Sequence, residues 1–252
     1  MRINRYLAAC GLASRRKSEA YVLEGRIKVN GRVIKDLSYR VKEGDSVTFE
    51  GRDLFLIEPM SLLFNKPNGV MVSHSDPFAD KFIYDYLPQD KGLFAAGRLD
   101  VDSEGLIFVT NMGREANALI HPSSAVEKEY LLILDKKLDR GDMVKLLNGV
   151  QGEYDFYKAD RIDAFNEEIR GYIENWPKSH EFIGKKYKIV IHEGKKREIR
   201  RMFSCLGYKV KKLVRLRIGR LYLDGIGLGQ YRKLTEAESK YIKSLTDEET
   251  VG

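Results

Sequence analysis

Cysteine is scarce: Cys10 and Cys205 are the two in 252 residues. They lie far apart and form no Cys-x-x-Cys pair, which argues against a disulfide framework or a thiolate metal site and makes a reducing cytoplasm the expected compartment. Long apolar runs are missing. No stretch approaches the roughly 18 residues of a membrane span, and no apolar signal core follows Met1-Arg2-Ile3-Asn4-Arg5. No membrane partner is expected. The histidines His74, His121, His180 and His192 have no ligand-like spacing and no Cys companions, so no metal is expected. There is no Gly-x-x-x-x-Gly-Lys-Ser/Thr loop and no Gly-x-Ser-x-Gly elbow. Gly225, Gly227 and Gly229 follow no strand-to-helix turn with a later acidic partner, so no dinucleotide site is expected. No cofactor is expected, and there is neither an internal repeat nor a low-complexity segment.

What is present is a globular composition, 43% hydrophobic and 32% charged, long enough for one large and one small domain. The net charge of +7 is unevenly placed. Residues 1–52 carry +6, residues 185–220 carry +12, residues 53–184 carry −9 and residues 221–252 carry −2. Two separate basic segments point to a polyanion, because counterion release drives such binding. Nucleic acid is the expected partner.

Ile3, Tyr6, Leu7 and Cys10 share one helical face, and Gly11 ends that helix. Ser14 caps a second one running to Leu23 and Gly25. Ile27, Val29 and Val33 around Asn30-Gly31 read as two short strands, and Val41, Val47 and Phe49 as a final one. This gives a small domain over residues 1–52, with 53–60 as a linker in which Leu54 to Ile57 can pair as a strand. A second domain over 61–240 mixes strands (62–65, 70–73, 105–110, 129–135, 186–192, 213–218) with helices (81–87, 113–120, 138–147, 197–206). That order predicts α+β with a largely antiparallel mixed sheet flanked by helices, not alternating βαβ units. Thr235-Glu236-Ala237-Glu238 reads as a capped helix start, 241–252 as a C-terminal tail, and Thr246 to Gly252 as frayed.

Four stretches can carry chemistry. Gly97-Arg98-Leu99-Asp100 places a carboxylate at a turn between apolar segments, held by Arg98 two residues earlier, as a candidate nucleophile or base. Asn65-Lys66-Pro67-Asn68-Gly69 is a turn after a short strand. Tyr130 opens a strand, where a tyrosine ordinarily packs. A helix from about Arg197 sets Arg197, Arg200 and Arg201 on neighbouring turns behind Lys195 and Lys196, suited to gripping phosphates. Downstream, 210–219 alternates basic and apolar residues, so one face enters the core and the other, with Arg215, meets nucleic-acid phosphate.

These motifs resemble two families. Arg2 to Leu7, Gly11, Ser14-Arg15-Arg16, Ala20, Gly25, Val29-Asn30-Gly31 and Gly44-Asp45 resemble the RNA-binding domain named after small-subunit ribosomal protein four. That resemblance implies that Arg5, Arg15, Arg16 and Lys17 face structured RNA. Lys66-Pro67-Asn68-Gly69, Gly97 to Asn111, Lys128-Glu129-Tyr130, Gly194 to Met202 and Arg215 to Gly219 resemble, in order, the motifs of RsuA/RluB-type ribosomal RNA pseudouridine synthases. The resemblance implies that Asp100 is the catalytic aspartate, that Tyr130 stacks on the target base, and that Arg200 pairs with Asp100. It adds Lys66, Arg98, Lys195, Lys196, Arg197, Arg201 and Arg215 to the RNA-binding set. Met112 and Glu104 depart from the pattern without touching Asp100.

The implied activity is isomerisation of one uridine in ribosomal RNA, free or in an assembly intermediate, by a monomer without a cofactor. The alternative is a non-catalytic RNA-binding or ribosome-assembly factor that uses the same basic surfaces. A methyltransferase would need a cofactor site, and no motif for one is visible.

Overall fold

The computed structural model describes residues 1–73, 75–77, 79–89, 91–165 and 185–248. His74, His180 and residues 249–252 of the expected frayed end lie outside them. The chain forms two compact units. The first gathers residues 1–60 with the short returns 88–94 and 110–112, and the second takes 61–87, 95–109 and the chain from Gly113. Among the described residues no helix is long and apolar enough to cross a membrane.

The first unit opens with α1 (Ile3–Ala9) and α2 (Arg15–Leu23). Ser14 caps α2 as its sequence position predicts, its Oγ accepting from Lys17 N–H at 3.3 Å. Then come β1 (Ile27–Val29), β2 (Arg32–Val33), β3 (Val47–Phe49) and β4 (Arg52–Asp53), in sheet order β2-β1-β3-β4. Asn30 and Gly31 both have positive φ (50° and 77°), the geometry of a tight antiparallel hairpin. Glu50 and Gly51 repeat it (50° and 82°), folding Arg52–Asp53 back on β3. That strand begins just before the expected linker and is illegible by pattern, because it buries nothing. Leu54 to Ile57 does not pair as a strand. Leu54 N–H instead reaches Val47 O (2.9 Å) and Ile57 N–H reaches Ala9 O (3.1 Å). Ile3, Leu7, Val22, Ile27, Val29, Val41 and Val47 form the core, each contributing about 1.5–3 kcal/mol by burial.

The second unit contains β5 (Ser61–Lys66), β6 (Phe94–Ala96), β7 (Glu104–Thr110), α3 (Gly113–Ile120), β8 (Lys128–Leu134), α4 (Arg140–Asn148), β9 (Val150–Gln151), β10 (Phe156–Tyr157) and β11 (Arg161–Ala164). It continues through β12 (Lys186–Ile191), α5 (Glu198–Ser204), β13 (Val210–Ile218), β14 (Leu221–Tyr222), β15 (Tyr231–Lys233) and α6 (Glu236–Glu248). The main sheet runs β11-β12-β8-β13-β7-β5-β15, with β14 on β13 and β6 on β7. β13 and β7 pair in parallel, while β11/β12, β12/β8, β8/β13 and β5/β15 are antiparallel. The α+β expectation is met. Central strands β7 and β8 are buried almost throughout, which explains their near-continuous apolar sequences.

Three local expectations change. The strand at 70–73 shrinks to one bridge, Met71 to Phe82, where Ser73 Oγ turns back to Ser75 O (2.8 Å). The helix at 81–87 is a single 3-10 turn, Ile83–Tyr86, because the residue before Pro88 is steered out of helical backbone. α6 runs on to Glu248, through residues expected to form a tail; it starts at the predicted capping box of Thr235 and Glu238 and buries Ile242.

Candidate active site

A cleft of about 1080 Å³ opens over the sheet of the second unit. Its walls are the Asp100 turn, the 193–197 segment with the start of α5, and the end of α3. Tyr130, Arg215 and Leu213 lie in its lining.

The Asp100 turn is tied from several sides. Ser103 N–H closes it on Asp100 O (3.0 Å), and Gly69 N–H holds Val101 O (2.8 Å). Lys66 lies beneath, fully buried, its Nζ donating to Ser103 O (2.7 Å), Pro67 O (2.9 Å) and Val101 O (3.3 Å). Burial pushes the Lys66 ammonium down to about 8, against Glu104, Asp102 and Asp100, which favour its charge. Lys66 was expected among the RNA contacts. It is instead an internal strut, because its ammonium bonds three carbonyls inside the fold. After the turn, Gly105 (φ 105°) lets β7 meet β13: a Cβ there would stand 2.3 Å from Arg215 O.

Asp100 keeps 32% of its side chain exposed to the cleft. Its arginine partner differs from both expected ones. Arg98 is exposed, and the guanidinium beside Asp100 is that of Arg197, with Nη1 3.8 Å from Oδ2. Arg200 turns to Asp102: its Nε lies 3.2 Å from Oδ2, and its Nη2 donates to the Asp102 backbone oxygen at 2.6 Å. Its Nη1 is held by Val210 O (2.8 Å). The reason is reach. α5 begins at Glu198 rather than Arg197, and Arg197 sits just before it in the left-handed region (φ 55°). That conformation, costing on the order of 1–3 kcal/mol for a non-glycine residue, aims Arg197 at the turn.

Asp102 is the hub that sequence reading passed over. Its carboxylate accepts from Arg197 Nη1 (3.0 Å) and Nη2 (2.9 Å). Burial alone would raise its carboxyl, but the Arg197 hydrogen bonds and the charges of Arg200 and Arg197 outweigh it and hold the group below its ordinary value. Glu198, 4% exposed, is a second omission. Its Oε2 accepts Lys195 N–H (3.0 Å) and anchors the loop before α5. Burial raises its carboxyl to about 7, more than the Lys195 N–H lowers it. Lys128, two residues before Tyr130 on the same strand face, also lines the cleft, its Nζ donating to His192 O (2.8 Å). No short motif in the sequence marks these three residues.

Tyr130 is buried in β8 and lines the cleft. Arg215 was expected to meet phosphate on an alternating strand. It is buried on the strand face that carries Leu213, in the lining of the cleft, with Nε on Leu106 O (2.7 Å). The neighbouring cations turn inward too: Arg217 pairs with Glu127 (2.9 Å) and Lys212 with Glu104 (3.1 Å). Lys195, Lys196 and Arg197 line the cleft, and Arg201 stands nearer β10. In the first unit Arg5, Arg15, Arg16 and Lys17 are all exposed. Three of them open α2, where no acidic residue offsets the helix dipole. That arrangement is unfavourable alone and favourable beside an anion.

Comparison with known proteins identifies the family. Residues 61–205 match the RNA pseudouridylate synthase family, and residues 1–47 match the S4 domain. An uncharacterized RNA pseudouridine synthase of Aquifex aeolicus is 34% identical, covering 97% of each chain. Ribosomal large subunit pseudouridine synthase B of Bacillus subtilis is 32% identical, covering 98% of this chain and 97% of its own. A solved structure described as a pseudouridylate synthase superimposes with a TM-score of 0.63 at 26% identity, covering 97% of this chain and 99% of that one. The chain belongs to the RNA pseudouridylate synthase family and carries an N-terminal S4 domain. Its activity class is accordingly that of an isomerase acting on RNA.

Proposed function

We propose that this chain converts a uridine of ribosomal RNA to pseudouridine, with Asp100 as the attacking group. The observation that carries this is Asp100 itself: a partly exposed carboxylate on a firmly tied turn, with Arg197 beside it, in a cleft also lined by Tyr130. The ribosomal substrate is supported by the relative named for the large ribosomal subunit and by the S4 domain.

A uridine stacked in folded RNA is out of reach, so it leaves the stack, at a cost of a few kcal/mol. Cations lining the cleft (Lys195, Lys196, Arg98), Arg201 beside β10, and Arg15, Arg16 and Lys17 on α2, with Arg5, offset that cost through phosphate contacts. Tyr130 receives the base, restoring about 1–3 kcal/mol of stacking. Asp100 then acts on the ribose, by attack at C1′ or by taking the C2′ proton. In the first route Asp100 bonds C1′ as the C1′–N1 bond breaks, the base turns, and C5 displaces Asp100 as it joins C1′; in the second, loss of the C2′ proton expels the base, and Asp100 returns that proton to C2′ as C5 joins C1′. In both the C5 proton then leaves and N1 gains one. Substrate and product contain the same atoms at the same oxidation level, so the reaction consumes no co-substrate. Arg197 keeps a cation beside Asp100, and Asp102 and Arg200 keep Arg197 in place.

Pseudouridine mapping on unmodified small- and large-subunit transcripts tests this, with wild type and Asp100→Asn compared. One new site with wild type alone is expected, while Asp100→Asn binds the RNA and leaves it unchanged. An active Asn variant refutes the role of Asp100. If wild type modifies neither naked RNA nor assembly intermediates, the reading as a binding factor replaces this one.

A further inference from the structure

The functional surface does not stop at the cleft. The hairpin of β9 and β10 stands against α5. Val150 and Tyr157 face inward and are buried, so the register Phe156 to Gln151 turns Phe156 outward. Phe156 is 48% exposed, and Tyr154, in the turn closed by Gly152 N–H on Asp155 O (2.8 Å), is 71% exposed. Both rings have a seat. Phe156 lies on Gly149, where a Cβ would come within 2.0 Å of its ring. Tyr154 lies over the Arg201 guanidinium, 5.7 Å from the ring centroid, and Arg201 Nη1 also donates to the Tyr157 hydroxyl (3.4 Å). Lys195 joins this hairpin to the cleft: its Nζ donates to Phe156 O (2.7 Å), and it lines the cleft as well.

We infer that Tyr154 and Phe156 form a stacking platform for an unpaired nucleotide of the RNA, next to the uridine that enters the cleft. The inference rests on the reading of the cleft as the uridine site. Exposed rings beside cations are the combination that single-stranded RNA requires, because bases offer flat apolar faces and the backbone offers charge. The carboxylates nearby set the polarity. Glu153 and Asp155 flank Tyr154 in the turn, and Glu193 pairs with Lys195 (2.6 Å). They repel phosphate from the tip, so a base meets the rings and its phosphate lies toward Arg201.

The test measures binding of a short oligouridylate and of an RNA duplex of equal charge to the full chain. Tyr154→Ala and Phe156→Ala are expected to weaken oligouridylate binding roughly 5- to 100-fold and to leave duplex binding unchanged. Tyr154→Trp retains affinity. Tyr154→Leu, which keeps apolar surface without a ring, does not. Arg201→Ala reduces the salt dependence by about 0.7 in logarithmic slope for one lost phosphate contact, whereas Tyr154→Ala does not change it. Full affinity in Tyr154→Leu, or equal losses on duplex and single strand, overturns the platform. Unchanged RNA affinity with loss of a ribosomal-protein contact also overturns it, in favour of protein docking. If wild type modifies no uridine while oligouridylate binding still depends on Tyr154, the reaction reading fails and the platform stands.

Discussion

Replacing Asp102 by alanine probes the logic of the site at the residue that holds its two arginines. The substitution removes the acceptor of two hydrogen bonds from Arg197 (3.0 and 2.9 Å) and the carboxylate 3.2 Å from Arg200 Nε. The Arg197 pair is open to solvent, 38% and 41% exposed, so its contribution to stability is at most about 1 kcal/mol. Arg200 is 13% exposed and loses a half-exposed charged partner, a loss of about 1–3 kcal/mol. Its bonds to Asp102 O and Val210 O survive, so the fold persists with a stability loss of about 1–4 kcal/mol. Catalysis suffers more. Arg197 is freed from its left-handed pose, and a displacement of about 1 Å near reacting groups can cost about 100-fold. Single-turnover pseudouridine formation at saturating RNA is the assay, with RNA affinity and urea unfolding measured in parallel. We expect kcat to fall about 100-fold with RNA affinity nearly unchanged. Because Asp102 acts through Arg197, Asp102→Ala and Arg197→Ala together should cost little more than either alone. A kcat within threefold of wild type, or single effects that multiply in the double variant, would refute the reasoning.

Other expectations follow from the same geometry. Glu198 titrates near 7 in the fold against 4.5 ordinarily, so the native state holds the extra proton between those values and the group's contribution to stability falls as pH rises through them. Glu198→Gln should therefore gain stability over wild type from pH 4.5 to 7, up to about 2–3 kcal/mol; a flat difference in unfolding free energy refutes this. Lys66 has the opposite sense: its folded value is about 8 against 10.5, so the unfolded chain holds the extra proton in that window. Wild-type stability, measured against Lys66→Met, should rise between pH 8 and 10.5, and a falling difference would contradict its burial as a cation. Gly105→Ala should destabilise by more than about 2 kcal/mol in urea, since its Cβ meets Arg215 backbone at 2.3 Å with no side chain to yield. Arg15→Ala with Arg16→Ala should weaken binding to duplex rRNA stems and reduce the salt slope by about 1.8; an unchanged slope removes α2 from the RNA contact.

The elements that sequence located well are those whose patterns are local. The Ser14 cap, the Asn30-Gly31 turn, the apolar runs of β7 and β8 and the helix 113–120 all fall where period, capping and turn chemistry put them. What it missed lacks such a signal. β4 buries no side chain, and its turn uses Glu50-Gly51 instead of a familiar pair. At the site, Asp100 and Tyr130, the residues their motifs single out, both line the cleft. The arginine assignments were not legible. Which guanidinium meets Asp100 depends on one residue's backbone, Arg197 at φ 55°, and on a carboxylate ninety-five positions away in the chain.

The sequence alone thus determined the two domains' element types, the basic segments, the turn that presents Asp100 and, through its motifs, the family. These follow from short-range periodicity and from charge, which any window of residues displays. Tertiary structure decided the rest. It made Lys66 an internal strut, its ammonium bonding carbonyls inside the protein, and it buried Arg215 in the lining of the cleft with Nε on Leu106 O. It gave Arg197, not Arg200, to Asp100, and made Asp102 the shared anchor of both arginines. Those outcomes turn on angstrom-scale distances between distant segments, and a linear pattern of residue types does not contain them.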